Sequence, residues 1–207
     1  MWSIVEICER VFAGLLLVLA APFLLLLAVL VWLKLGSPVL FRQERTGFRG
    51  RTFTMLKFRS MTDAVTDTGH LKPDAERLTR FGKLLRKTSL DELPELVNVA
   101  RGEMSFVGPR PLLPEYLERY TPEQARRHDV KPGVTGWAQV MGRNELPWEE
   151  RLALDVWYVD NRSLGLNCRI LVMTILTVLR CAGTNAPSHA TMPPFMGRTG
   201  REEDGHE

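Results

Sequence analysis

The chain has 207 residues, 45% of them hydrophobic and 25% charged, with a formal net charge of +3. This length suits one compact domain with an anchor. Its three cysteines, Cys8, Cys168 and Cys181, are odd in number and lack metal-site spacing, which argues against a disulfide scaffold and for free thiols in a reducing compartment. The average composition hides a segregation. Residues 11–33 carry no charged or polar side chain, whereas Lys34 to Arg59 holds seven Lys or Arg against one acid, Glu44. Such a basic block suits phosphates, anionic lipid head groups or nucleic acid, and charge alone does not choose among them.

The apolar run, VFAGLLLVLAAPFLLLLAVLVWL, predicts a helix about 35 Å long at ~1.5 Å per residue, enough for a hydrocarbon core ~30 Å thick. Glu6 and Glu9 stand where a signal peptide carries basic residues, and LKLGSPV is not a small-residue cleavage site. Pro22 lies at the middle of the run and removes a backbone donor, leaving arms of about 11 residues, or ~16 Å, each half a bilayer. Two geometries follow: a kinked helix that spans once, or a re-entrant helix broken near Pro22 that leaves by the face it entered. Prolines are frequent in spanning helices, so both stay open. In either case the Lys/Arg-rich flank keeps the rest of the chain in the cytoplasm. Residues 1–36 are therefore expected to form a membrane anchor and 37–185 a compact cytosolic domain. The stretch 186–207, rich in Gly, Pro and charge, is expected to be a disordered tail.

The cytosolic part reads as mainly α with a small β-hairpin. VLFRQ and TFTMLKF flank a turn at Gly47-Phe48-Arg49-Gly50. A polar loop covers 62–72, and Leu78, Phe81 and Leu85 share one face of an amphipathic helix over 74–86. A further helix is expected over 92–100, a Gly/Pro-rich loop over 102–114 and a second glycine-bearing loop over 131–144. Thr121-Pro122-Glu123-Gln124 is a helix start, with a cap, proline at the first position and Gln three after the cap. Residues 147–161 place Trp148, Leu152, Val156 and Val159 along one helical side. The apolar stretch 166–180 has a ten-residue core bounded by Asn167, Arg169 and Arg180. It is too short to span, so it is core or a helix lying along the membrane surface.

Chemistry concentrates in Ser89-Leu90-Asp91-Glu92-Leu93-Pro94. Asp91 is expected at a helix N-terminus, where the macrodipole favours its ionised form and attracts phosphate. An ionised carboxylate there can attack phosphorus or ligate Mg²⁺, although acids at helix starts are ordinarily caps. Lys57 and Arg59 alternate with Phe58 on a strand end and so share a face, which makes both candidates for binding substrate phosphate. Arg86 precedes the acidic pair, and Arg143 follows Gly142 in a loop. Arg110 stands between Pro109 and Pro111, which restrict the loop and present a guanidinium suited to bidentate phosphate binding. Each of these cations is ordinarily a solvated surface group. No Walker A loop, GxGxxG or HExxH is present. His128 is expected to be structural, and Trp137, Trp148 and Trp157 to be core.

Four blocks together resemble the bacterial sugar transferase family, the polyprenyl-phosphate phosphoglycosyl transferases. They are KFRSM at 57–61, SLDELPELVNVARGEMSFVGPRPLLPEYL at 89–117, RHDVKPGVTGWAQVMGRN at 127–144, and the apolar run with its central proline. The resemblance runs from about residue 5 to about residue 180 and is nearest to the short, single-anchor (monotopic) form. It implies a re-entrant helix broken at a Ser-Pro pair, for which this chain has Ala21-Pro22. It implies a catalytic dyad at Asp91 and Glu92, with the aspartate as nucleophile and Mg²⁺ assisting at the diphosphate. It further implies phosphate binding at Lys57, Arg86 and Arg110, and nucleotide recognition at Arg143. The implied substrates are a UDP-sugar and polyprenyl (undecaprenyl) phosphate, met at membrane lipid on the cytoplasmic face of the bacterial inner membrane, with no role for nucleic acid. UMP would be released in the first membrane step of glycoconjugate assembly. The reading of another class is a non-catalytic membrane-surface module that binds anionic lipid or a polyanion. It accounts for the anchor and the charge, and it leaves the acidic pair among basic loops unexplained.

Overall fold

The computed structural model describes residues 2–142, 146–179 and 194–197. Helix α1 (Trp2–Leu35) is one 34-residue helix, about 51 Å long at ~1.5 Å per residue, and long and apolar enough to cross a membrane. It continues through Pro22, so the expected break is absent as an interruption of the helix. An interior proline removes one backbone donor and costs about 3 kcal/mol in a water-exposed helix.

One side of α1 rests on the globular body. Near its start, Lys131 Nζ lies 2.8 Å from Glu6, Ser105 Oγ donates to Glu9 at 2.6 Å, and Arg10 Nε donates to the Ala100 carbonyl at 3.2 Å. Near its end, Leu27, Val31 and Leu35 are buried with Phe58 and Leu85, and Leu90 and Leu93 pack on the same cluster. The other side of α1 leaves Val11, Leu15, Val18, Leu19, Leu26 and Leu33 exposed.

The hairpin forms where expected. Strands β1 (Leu40–Thr46) and β2 (Thr52–Phe58) pair antiparallel, with Leu40 opposite Phe58 and Thr46 opposite Thr52. A 3-10 turn over Phe48–Gly50 closes it, with Arg49 and Gly50 at positive φ. Asn98 ties this hairpin to the helix behind it. Its Oδ1 accepts from Leu56 N–H at 3.1 Å, and its Nδ2 donates to the Thr54 carbonyl and to Glu103, each at 2.7 Å. Asn98 is fully buried, so Asn98→Ala would strand two backbone groups on β2. The expected cost is on the order of 3 kcal/mol. A melting temperature lowered by roughly 6–12 °C in a thermal unfolding experiment checks it.

Further along, two expectations are corrected. The helix expected over 74–86 is two: α2 (Asp74–Arg77) and α3 (Arg80–Lys87). Leu78 takes an extended conformation and bridges to Met61, and the Thr79 side chain caps α3 through Gly82 N–H. Threonine satisfies an orphan donor at a cap better than it serves a helix interior. After α4 (Glu95–Arg101), the two expected loops contain short strands, β3 (Ser105–Val107) and β4 (Gly133–Thr135), paired in parallel. Their backbones cross so closely that a Cβ on Gly133 would meet Gly108 N at 2.1 Å, and one on Gly108 would meet the Lys131 carbonyl at 2.4 Å. Only glycine permits that approach.

Between these strands lie a 3-10 turn over Pro114–Arg119 and α5 (Pro122–Ala125), which opens with the capping box of Thr121 and Gln124. Then follow α6 (Trp137–Met141), α7 (Trp148–Asn161) and α8 (Leu164–Leu179). Leu152 and Val156 of α7 are buried, as their spacing predicts, whereas Trp157, expected in the core, is 43% exposed because it lies on the opposite side of the helix from Leu152. Helix α8 buries Ile170 in the core and exposes Leu164, Val172, Ile175 and Leu176. Most of the expected tail lies outside the described residues, but Phe195 is 5% exposed and packs with Tyr116, Leu112 and Leu152.

Candidate active site

The acidic pair sits on a turn that strain helps to aim. Ser89 adopts φ 56°, ψ 19°, a left-handed conformation that costs a non-glycine residue on the order of 1 kcal/mol. It redirects the chain from α3 into a 3-10 turn over Leu90–Glu92. The sequence places Asp91 at a helix N-terminus; it lies in this 3-10 turn ahead of α4 and does not occupy the cap position of that helix. Pro94 occupies that position, with φ −62° and no N–H to lose, and no side chain caps the helix. The flanking Leu90 and Leu93 belong to the cluster around Leu27 and Val31, so the turn is mounted on α1.

The two carboxylates have unlike environments. Glu92 Oε1 accepts from Lys57 Nζ and from Arg110 Nη2, both at 2.7 Å. Burial pushes its carboxyl up, but the Arg110 and Lys57 charges outweigh that and hold it well below the usual carboxylate range. In return Glu92 keeps the Arg110 guanidinium firmly protonated. Asp91 is 7% exposed, and among the described residues it makes no hydrogen bond or ion pair. Burial, followed by the Glu92 charge, raises its pKa, while Lys57, Arg86 and Arg110 pull it back. Glu95, one helical turn on, is a third acid. It is 3.1 Å from Lys57 Nζ, and burial pushes it up to about 7 despite that cation. Lys57 is thus shared between Glu92 and Glu95.

Of the cations singled out in the sequence, Lys57, Arg86 and Arg110 converge on this pair. Arg86 is steered by its Nε donation to Ser60 Oγ at 2.9 Å. Arg59 is engaged elsewhere, donating to the Met61 and Ser37 carbonyls and to Asp63. Arg143 lies outside the described residues.

Behind the site is a support that no local sequence signal announces. Arg127, 2% exposed, donates through Nη2 to the Arg110 carbonyl and to Asp155, each at 2.7 Å. Arg127 and Asp155 are far apart in the chain, so only the fold reveals the pair. The Arg110 loop is also pinned at Pro109, whose carbonyl accepts from Gly133 N–H at 3.0 Å. His128 packs on Tyr120, and burial lowers it to about 4, so it is a neutral structural group as expected. A cavity bordered by Glu6, Glu9, Lys131 and Tyr158 shares no residue with the carboxylate cluster.

Among the described residues no three His, Cys, Asp or Glu converge as a metal cage. Mg²⁺ does not require one, since it is commonly held by one or two carboxylates together with substrate phosphates. The unpartnered Asp91 carboxylate suits that arrangement, as does Glu92 Oε2, the oxygen not engaged by Lys57 or Arg110.

A buried carboxylate that makes no hydrogen bond among the described residues, with Lys57, Arg86 and Arg110 around it and its turn packed on an apolar helix long enough to cross a membrane, is an arrangement suited to phosphate chemistry at a membrane surface. The model of the family described as bacterial sugar transferase matches residues 2–181, and the chain belongs to that family. It is 52% identical over 182 residues to the "uncharacterized sugar transferase EpsL" of Bacillus subtilis strain 168, which covers 88% of this chain and 90% of that protein. It is 45% identical over 168 residues to the UDP-glucose:undecaprenyl-phosphate glucose-1-phosphate transferase of Xanthomonas campestris pv. campestris, covering 75% of this chain and 35% of that protein. A protein of the same name from Caulobacter vibrioides is 40% identical over 185 residues, covering 84% of this chain and 69% of its own length. The chain thus spans about a third of the longer Xanthomonas relative.

Proposed function

We propose that this chain transfers a sugar-1-phosphate from a UDP-sugar to polyprenyl (undecaprenyl) phosphate through a covalent intermediate on Asp91. The single observation that carries the reading is the contrast within the dyad: Glu92 Oε1 accepts from both Lys57 and Arg110, while the adjacent Asp91 is buried and makes no hydrogen bond or ion pair among the described residues. A carboxylate held by no neighbour keeps its lone pairs for phosphorus. In the first half-reaction an Asp91 oxygen attacks the phosphorus bonded to the sugar-1-oxygen. The bond from that phosphorus to the bridging oxygen breaks, and UMP leaves with the bridging oxygen. In the second, a polyprenyl phosphate oxygen attacks the same phosphorus and frees the Asp91 carboxylate. Glu92 orients Lys57 and Arg110 so that their remaining donors face the diphosphate. Magnesium, held by Asp91, by Glu92 or by both, would supply further neutralisation of diphosphate charge. Lys57, Arg86 and Arg110 are the phosphate-binding set, and Arg143 is assigned to the nucleotide. UMP release from a panel of UDP-sugars, with and without polyprenyl phosphate, tests the reading.

The same reading makes the protein monotopic, with both ends of α1 on the cytoplasmic face of the inner membrane. The support is that Glu6, Glu9 and Arg10 contact the same body as Leu27, Val31 and Leu35. A spanning helix would part those ends by ~30 Å of hydrocarbon. The exposed apolar sides of α1 and α8 would then lie in lipid, which brings the dyad to the acceptor's head group. A cysteine at position 3 in an otherwise cysteine-free protein is expected to react with a membrane-impermeant maleimide only from the cytoplasmic side. Labelling from the periplasm would restore the spanning geometry.

A further inference from the structure

The tail expected to be disordered reaches back to the body at Phe195. The ring centroid of Phe195 lies 5.7 Å from Tyr116, 5.6 Å from Tyr120 and 5.4 Å from Trp148. Leu112 and Leu152 complete the box, and only 5% of Phe195 stays exposed. Arg119 Nη1 donates to the Phe195 carbonyl. Two residues on, Gly197 takes φ +78° beside Arg119, in a conformation glycine adopts freely.

The walls of this box belong to the segments that carry the candidate site. Leu112 follows directly on Arg110 and Pro111, and Tyr116 lies in the turn after it. The Tyr120 ring is 5.8 Å from the guanidinium of Arg127, the residue that holds the Arg110 carbonyl. Trp148 opens α7, immediately after the stretch that contains Arg143. Pro109 and Pro111 restrict torsions within the Arg110 loop, but they do not prevent the loop from shifting as a unit against α7. Phe195 fills the space between the two. A ring with few torsions to freeze is well suited to such a wedge.

We propose that Phe195 is a positioning residue: the segment 194–197 clamps the Arg110 loop against the start of α7 and so sets where the Arg110 guanidinium meets the donor's diphosphate. The proposal rests on the transfer reading above. It concerns a segment beyond residue 181, where the family match ends.

The test compares the full-length protein with Phe195→Ala and Phe195→Tyr, all in lipid nanodiscs. Amide hydrogen exchange is measured, together with UMP release from a panel of UDP-sugars in the presence of polyprenyl phosphate. For Phe195→Ala, exchange over 112–120 and 148–152 is expected to rise about tenfold or more, while amides of β1 and β2 keep their rates. The donor KM is expected to rise about five- to tenfold with a smaller change in kcat, and Phe195→Tyr to recover most of both effects. Unchanged exchange in those segments overturns the clamp. So does a rise shared equally by β1 and β2, which would mean general destabilisation. A local rise with an unaltered KM also overturns it, because the loop would then move without consequence. Should the unaltered protein release no UMP from any UDP-sugar, the transfer reading fails, and exchange alone decides the clamp.

Discussion

Asp91→Asn is expected to abolish sugar-phosphate transfer, by about 10⁴-fold or more, and to leave the protein at least as stable as its parent. The two halves of this result have separate causes. An amide keeps the size of the side chain and loses the anionic oxygen that attacks phosphorus. The folded environment, through burial and the neighbouring Glu92, raises the Asp91 pKa, so at neutral pH it penalises the charge that the substitution removes. Asp91 also has no hydrogen bond to lose among the described residues. Turnover and melting temperature measured on one preparation check both halves. Substantial residual turnover would remove Asp91 from the chemistry, and a marked fall in stability would reassign it to a structural role.

Arg110→Lys is expected to lower kcat/KM by about 10²–10³-fold with the fold intact. Arg110 Nη2 already serves Glu92 at 2.7 Å, so the substrate must be met by the other donors of the same planar fork. A lysine ammonium at position 110 presents its donors from one nitrogen and loses the planar fork by which two nitrogens meet Glu92 and a phosphate side by side. The backbone here is held independently of the side chain, through the Arg110 carbonyl to Arg127 and the Pro109 carbonyl to Gly133. The variant is therefore expected to match the parent in melting temperature while losing activity. Near-normal turnover would exclude Arg110 from the phosphate site.

Contiguous patterns account for most of what is legible in the sequence. The Asp91-Glu92 pair, the Pro109-Arg110-Pro111 loop, the hairpin turn and the Thr121 capping box are each set by neighbours in the chain. Sequence and structure part where distant groups compete with local preference. Local pattern puts Asp91 at a helix N-terminus, but Pro94 claims the helix start and a left-handed Ser89 redirects the chain. Apolar spacing predicts a single helix over 74–86, but Leu78 gains more by extending to Met61 while Thr79 caps the next segment. Strands of three residues among glycines and prolines show no alternation long enough to detect, which hides β3 and β4. Arg59 shares a strand end with Lys57, yet its hydrogen bonds go to Ser37, Met61 and Asp63. Glu95 has a usable signal, since its spacing from Glu92 places both within reach of one lysine. Arg127 with Asp155, and Phe195 with Tyr116, have none, because each pair meets only across the folded chain.

A single-turnover experiment addresses the covalent step most directly. Purified protein is mixed with a UDP-sugar and Mg²⁺ in the absence of polyprenyl phosphate. UMP is counted, and the protein is analysed by peptide mass spectrometry. A nucleophilic Asp91 predicts UMP at about one equivalent of enzyme, with a sugar-phosphate mass on the peptide that contains Asp91. If UMP forms only when polyprenyl phosphate is also present, and no adduct can be trapped, transfer is direct between the two substrates and the covalent account is contradicted.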